Sequence, residues 1–229
     1  AVDNGSVQAL DEKLVKNFGD NFYYEYWKTK SVSPVDVINY QVRKSSTEYI
    51  MCLIDGARML SPGILRLTLQ SFKAFDDPFV FTTGMHIGKE LQNITINDGY
   101  DQNKEDKILE AIDWKNNGYS LFSISVLAAS AQKGFFSLPN ESNCFAMKRK
   151  SFLKIGGFER KFQSKGGGLA NLDFFKRVVT QENFSKIMLL GEATFHQFHG
   201  GVATNALINK RPWSEFKNEY KAIRGKEYF

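Results

Sequence analysis

Extended apolar runs alternate with helix-period patterns along this chain of 229 residues, and that alternation constrains the fold more than any single motif. Val35, Ile38 and Val42 share one helical face behind Ser33-Pro34, a cap followed by a first-turn proline, and lead into the strand-like run Tyr49-Ile50-Met51-Cys52-Leu53-Ile54. A similar pattern at Leu10, Leu14 and Phe18 precedes Phe22-Tyr23-Tyr24, and Ile108, Leu109 and Ile112 mark another helix before Trp114. Further on come a strand from Asn143 to Met147, a helix from about Leu172 to Val179, a strand from Ile187 to Leu190, and a closing helix with Phe216, Tyr220 and Ile223 on one side. The expected architecture is one α/β domain with a mostly parallel central sheet flanked by helices, ending in a helix and tail over 213–229. The stretch from Gly84 to Asp101 is rich in Asn, Gly and Asp and reads as irregular, the kind of segment that carries substrate loops in α/β enzymes.

Composition narrows the class. With 42% apolar and 24% charged residues the chain has the make-up of an ordinary globular domain. Its longest apolar stretch, Tyr119 to Ala131, is broken by serines and falls short of the roughly 20 residues a membrane span requires. No secretion signal is read at the amino terminus, although an upstream segment could have been lost. Cys52 and Cys144 sit in apolar runs where packed, reduced thiols are expected, which fits a cytoplasmic setting. The net charge of +5 suits a phosphorylated substrate, acidic headgroups or nucleic acid, but the basic residues form no stripe with interleaved aromatics, so no nucleic-acid partner is expected. The basic amphipathic tail, Arg211 through Lys226, reads as packed on the domain or as a peripheral contact with an anionic membrane.

Two segments carry the chemistry. The strand Tyr49 to Ile54 ends in Asp55-Gly56-Ala57-Arg58, and the carboxyl end of a strand in an open α/β sheet is where ligands bind; the same dipeptide is also ordinary turn chemistry. His196-Gln197-Phe198-His199-Gly200-Gly201 follows the apolar run Ile187 to Leu190 and brings two of the three histidines together, which suits a divalent-metal or phosphate site and equally a surface or hydrogen-bonded histidine pair in a turn. His86 has no partner in its own segment and reads as structural. Lys165 beside Gly166-Gly167-Gly168 could close over a ligand, with Arg58 a second basic candidate; single basic residues on loops are otherwise solvated. Glu141 and Asn143 flank a strand start, and Trp114 is either a core side chain or an aromatic stacking platform.

The order of these motifs resembles family 2 glycosyltransferases of the GT-A fold. Val2-Asp3-Asn4-Gly5-Ser6, Ser33-Pro34 to Asn39, the strand closing on Asp55 with Leu60-Ser61-Pro62-Gly63, and Cys144 to Arg149 with Ile155-Gly156-Gly157-Phe158-Glu159 follow that family's sequence of elements. Gly166-Gly167-Gly168, Asn171-Leu172-Asp173 and Arg177 match the segment that usually reads Gly-x-Glu-Asp-x-Asp with a following Arg. The resemblance implies transfer of a sugar from a nucleotide-diphosphate donor, most often UDP-linked, to a saccharide or lipid-linked acceptor, with inversion, assisted by Mn²⁺ or Mg²⁺, in the biosynthesis of bacterial surface polysaccharide at the inner face of the membrane. On that footing Asp3 and Asn4 face the nucleotide, Asp55 lies beside ribose and metal, Arg58 and Lys165 meet the diphosphate, and His196 or His199 joins the metal. Glu141, Asn143 and Trp114 would meet the acceptor, and Asp173 with Asn171 would stand at the catalytic position.

The chain departs from the family pattern in three places. Ala57 replaces the second acid of the usual Asp-x-Asp; Ala170-Asn171 replaces a Glu-Asp pair; and the chain opens at Ala1-Val2-Asp3, inside what would be the family's second strand, so that a missing segment or another chain would complete the sheet. Two rival readings follow: a catalytically silent carbohydrate- or partner-binding domain, and a metal-dependent hydrolase built on Asp55, His196 and His199.

Overall fold

The computed structural model describes residues 1–54, 57–201 and 204–228, apart from the side chain of Ile208. Its contacts divide the chain into two compact units: one of residues 1–46, 158–170 and 214–229, the other of 47–157 and 171–213.

The first unit opens with β1 (Val2–Asp3), the short helix α1 (Glu12–Lys16) and β2 (Glu25–Tyr26); the two strands pair in parallel, Val2 opposite Glu25. The expected burial of Leu10, Leu14 and Phe18 on one helix face does not occur: all three are exposed, and α1 has no buried residue. Strand β2 follows directly after the aromatic run Phe22 to Tyr24. Helix α2 (Val35–Lys44) follows Ser33-Pro34 as expected and buries Val35, Val37, Asn39 and Val42. Asn39 binds the backbone of Phe158 twice, giving its Nδ2 proton to the carbonyl at 2.8 Å and accepting the amide at 2.9 Å. One buried amide side chain thereby satisfies both polar groups of a residue 119 positions away.

The second unit is built on a six-stranded sheet of β3 (Tyr49–Leu53), β4 (Arg58–Leu60), β5 (Pro78–Ile87), β6 (Ser125–Leu127), β7 (Cys144–Lys148) and β8 (Ser185–His196). The strand order is β3-β7-β5-β8-β4, with β6 on β5. All ten residues of β5 are buried. Its run Pro78-Phe79-Val80-Phe81-Thr82-Thr83 shows no alternation because neither face of the strand meets water.

The expectation of a mostly parallel sheet is corrected here. Among the described residues of this sheet only β5 and β8 run parallel; β3 with β7, β7 with β5, β5 with β6 and β8 with β4 are antiparallel. Helix–strand alternation gives parallel pairing only when each crossover returns to the same sheet end. Here the long connection after β5, holding α4 (Gln92–Thr95), α5 (Gln102–Glu110) and β6, delivers β7 from the opposite end. Gly84 to Asp101 is likewise more ordered than expected: its first four residues belong to β5, and α4 follows.

Helix α3 (Ile64–Ala74) opens where Leu60-Ser61-Pro62-Gly63 predicts a helix start. The register between β5 and β8 slips between Phe81 and Thr83, where β8 passes from Met188 to Ala193 through Gly191 at φ +76°. This bulge lies beside Glu192, whose buried carboxylate takes the α3 entrance in hand. It accepts the Ser61 hydroxyl, the Gly63 amide at 3.0 Å and the Tyr119 hydroxyl at 2.8 Å. A carboxylate on the first amides of a helix satisfies groups with no partner inside it and complements the helix dipole.

Between α6 (Arg149–Lys154) and α7 (Ala170–Val179) the chain passes Gly156 and Gly157, both at positive φ. Phe174 and Phe175 of α7 pack with Phe79, Phe81 and Phe145 of the sheet in an aromatic core, Phe81 meeting Phe175 edge-on at 5.1 Å. The closing helix α8 (Trp213–Arg224) buries Phe216 and Tyr220, so packing is the role its apolar side takes. Among the described residues no helix is long and apolar enough to cross a membrane.

Candidate functional site: a buried amide network behind paired histidines

Strand β8 ends in His196, which is wholly buried and stands opposite His86 in the parallel register and opposite Arg58 in the antiparallel one. The two flanking strands therefore bring His86 and Arg58 to the same level as the histidine motif. The Gln197 amide donates to the Ala57 carbonyl at 2.8 Å, tying the residue that replaces the second acid of Asp-x-Asp to this strand end. Asp55 itself lies outside the described residues.

Gln92 sits behind these rings with no exposed surface. Its Nε2 donates to Glu105 Oε2 at 3.0 Å and to the His196 carbonyl at 3.0 Å, with the Ile87 carbonyl at 3.4 Å. The two carbonyls can only accept, so the amide orientation is fixed and Oε1 must be the acceptor on the other side. There it receives Asn205 Nδ2 at 2.9 Å and His196 Nδ1 at 2.7 Å. Asn205 is oriented in turn, because its Oδ1 accepts the amides of His199 and Gly201, each at 3.1 Å.

Glu105 anchors the network. Its Oε2 accepts Gln92 Nε2 and the Tyr100 hydroxyl, at 3.0 and 2.8 Å, and the Phe198 amide lies 2.9 and 3.0 Å from its two oxygens. Burial raises this carboxyl above its ordinary range, with the bonds from Phe198 and Tyr100 pulling the other way. Burial, then the adjoining Glu105, pushes the Tyr100 phenol up as well.

On the outer side the Nε2 atoms of His196 and His199 are 3.1 Å apart, and Thr204 Oγ1 is 3.2 Å from that of His196. Two imidazoles sharing one tetrahedral ion, with bonds of about 2.0–2.1 Å, place their nitrogens roughly 3.3 Å apart, so the pair fits as two of an ion's ligands. No group of three or more His, Cys, Asp or Glu side chains converges to hold an ion among the described residues.

The other sequence candidates are distributed as follows. Arg58 is half-buried in β4 and gives Nη1 to Thr194 Oγ1 at 3.3 Å. Asn171 is the second residue of α7, and its Nδ2 bridges Glu141 Oε2 at 2.9 Å and Asn143 Oδ1 at 3.1 Å, so three predicted residues do come together. Asn171 Oδ1 is buried without a hydrogen-bond partner among the described residues. Asp173, 2% exposed, binds Arg177 Nε at 2.8 Å, and that guanidinium also holds the carbonyls of Ile155 and Gly157. Trp114 packs against the core cluster of Met85, Ile87, Leu109, Leu121 and Phe195.

Asp3, Asn4 and Lys165 belong to the first unit. Asp3 accepts the Ser6 amide at 2.7 Å and the Tyr24 hydroxyl at 3.0 Å, while Asn4 gives Nδ2 to the carbonyls of Ser31 and Ser33. Lys165 is exposed, in a turn whose three glycines all have positive φ. Asn4 also lines a polar cleft of about 260 Å³ with Trp27, Tyr40 and Arg43.

Sequence reasoning missed Gln92, Glu105 and Asn205. Glu105 had a signal: it lies four residues before the buried Leu109, on the inward stripe of α5, where a carboxylate needs partners. Gln92 and Asn205 had none, since both read as solvated loop residues.

No protein-family model matches the sequence, and no curated protein does. Among solved structures the chain is similar to GalNAc-T7, crystallised with UDP, GalNAc and Mn²⁺, at a TM-score of 0.52 and 13% identity. The likeness covers 98% of this chain and 43% of that one, so the chain spans less than half the length of that structure. The fold is thus α/β and GT-A-like, with a mixed sheet.

Proposed function

We propose that this chain carries the donor end of a glycosyltransferase site: a sugar passes from a nucleotide diphosphate to a hydroxyl of a saccharide or lipid-linked acceptor. The carrying observation is the His196–His199 pair at the end of a central strand of a GT-A-like sheet, with Arg58 in register beside it. In the reaction the acceptor oxygen attacks the anomeric carbon, the bond from that carbon to the diphosphate breaks, and the hydroxyl proton passes to a carboxylate. A divalent ion, Mn²⁺ or Mg²⁺, would neutralise charge growing on the leaving diphosphate. His196 and His199 would hold it through Nε2, with Asp55 as a further donor.

Arg58 supplies a guanidinium for diphosphate oxygens. Glu141, held by Asn171, is the carboxylate we assign to proton removal on the acceptor side; Asp173, already engaged by Arg177, is its rival. The motif order in the sequence proposes Asp3, Asn4 and Lys165 as donor contacts, and Asn143 and Trp114 as acceptor contacts. Inversion, a UDP-linked donor and a place in bacterial surface-polysaccharide biosynthesis at the cytoplasmic face of the membrane complete the reading; these rest on the motif order in the sequence.

Ala57, standing where the family pattern has its second acid, favours one alternative, a catalytically silent carbohydrate- or partner-binding domain. Thermal-shift titration with UDP, GDP and CDP, each with and without Mn²⁺, separates the two, because a ligand bound only by the folded state raises its stability. The transferase reading expects a Mn²⁺-dependent shift with one nucleotide and release of that nucleotide from its sugar conjugate when acceptor is supplied. Binding without turnover, or no shift with any nucleotide, rejects the transferase reading and leaves the silent domain.

A further inference from the structure

Gln92 touches two of the three histidines and imposes opposite proton placements on them. Its backbone amide donates to His86 Nδ1 at 3.2 Å, so neutral His86 carries its proton on Nε2. Its side-chain Oε1 is the acceptor for His196 Nδ1 at 2.7 Å, so neutral His196 carries its proton on Nδ1. Oε1 cannot exchange places with Nε2, because Nε2 is already donating to Glu105, whose two oxygens can only accept while ionised, and to the His196 carbonyl.

We infer that Gln92 is the positioning residue of the histidine pair: by holding the Nδ1 proton of His196 it turns the bare Nε2 lone pair toward His199, whose Nε2–H donates to it until a divalent cation takes that proton's place. The inference rests on the proposed reading of that pair as a cation site. A ring that presents Nε2 as a ligand must be unprotonated there, and a fixed acceptor on Nδ1 supplies that state before any ion arrives. The usual partner of a ligating imidazole is a carboxylate or a backbone carbonyl; here a neutral amide takes that place and the carboxylate, Glu105, stands one bond further back. Asn205 completes the unit, since it donates to the same Oε1 while its own Oδ1 accepts the amide of His199. The His196 ring and the His199 backbone are therefore set by two adjoining amides, a physical reason for the 3.1 Å spacing.

The test is long-range ¹H–¹⁵N correlation on the labelled native chain, in which three histidines give few signals to assign, followed by Zn²⁺ titration of the native chain and of Gln92→Met. The expected result is His196 protonated on Nδ1 and bare on Nε2, His86 with the reverse pattern, and a shift of the His196 proton toward Nε2 in Gln92→Met with Zn²⁺ binding about 10–100-fold weaker. A His196 proton on Nε2 in the native chain overturns the inference without reference to any variant, so a poorly folded Gln92→Met does not shelter it. Equal Zn²⁺ affinity in the two chains overturns it too. If the native chain binds no Zn²⁺, the cation site of the proposed function fails, while the proton position on His196 still decides what Gln92 does.

Discussion

His196 and His199 approach within 3.1 Å through their Nε2 atoms, yet His196 is wholly buried and His199 is exposed. Replacing each by alanine separates structure from chemistry. His196→Ala empties a core position and leaves Gln92 Oε1 short of a donor, a loss of about 2–4 kcal/mol in urea unfolding. His199→Ala removes an exposed ring and stays within about 0.5 kcal/mol of the native chain. Both abolish the Mn²⁺-dependent part of nucleotide stabilisation; retention of it in His199→Ala rules the pair out as ligands.

The two carboxylates near the start of α7 are distinguished in the same way. Asp173→Asn breaks a mostly buried ion pair and is expected to cost about 2–4 kcal/mol through the freed Arg177 charge. Glu141→Gln keeps an oxygen for Asn171 Nδ2 and leaves stability nearly unchanged. Loss of a general base lowers turnover about 10²–10⁴-fold, and that loss is assigned to Glu141→Gln. Turnover that survives Glu141→Gln but disappears in a folded Asp173→Asn moves the role to Asp173.

Gly63 has no room for a side chain. A Cβ there would lie 2.1 Å from Glu192 Oε1 and 2.9 Å from the Tyr119 hydroxyl, so Gly63→Ala must displace the carboxylate that caps α3. The expected cost is about 1–3 kcal/mol by chemical denaturation. Tyr119→Phe removes one of the bonds to Glu192 and costs roughly 1 kcal/mol. A Gly63→Ala chain as stable as the native one would show that Glu192 does not hold that helix start.

Both thiols are expected to resist alkylation. Burial pushes Cys52 up to about 12 and Cys144 up to about 11, so almost no thiolate exists at neutral pH. Raised values also fix the sign of a stability effect: the thiols stay neutral and harmless below about pH 9, and folding weakens as pH climbs toward the folded-state values, because the unfolded chain loses its thiol protons first. Cys144→Ala should fall less steeply in melting temperature across pH 9–11. Rapid modification of Cys144 by iodoacetamide in the native chain would contradict its burial.

Several elements were legible from the amino-acid order. Ser33-Pro34 with Val35 and Val42 gave α2, Tyr49 to Leu53 gave β3, Cys144 to Met147 gave most of β7, and Phe216 with Tyr220 gave the buried side of α8. These are local signals, a cap, a period or an apolar run, which neighbouring residues suffice to express. β5 was not legible, since a strand buried on both faces shows no alternation, and neither was its partnership with β8. The exposed Leu10, Leu14 and Phe18 show the converse, helical spacing with no core behind it.

The sequence by itself determined that a histidine pair and a strand-end acid occur in an α/β chain, because residue type and local period are properties of the order alone. Only the tertiary structure decided the sheet's mixed direction, the engagement of Asp173 by Arg177, and the arrival of Gln92, Glu105 and Asn205 behind His196. Gln92 and His196 are 104 residues apart, and nothing in the chemistry of a glutamine beside Leu91 and Asn93 announces that β5 and β8 will close around it. Pairing across such distances follows from which apolar surfaces exclude water together, and that is settled only when the whole core forms.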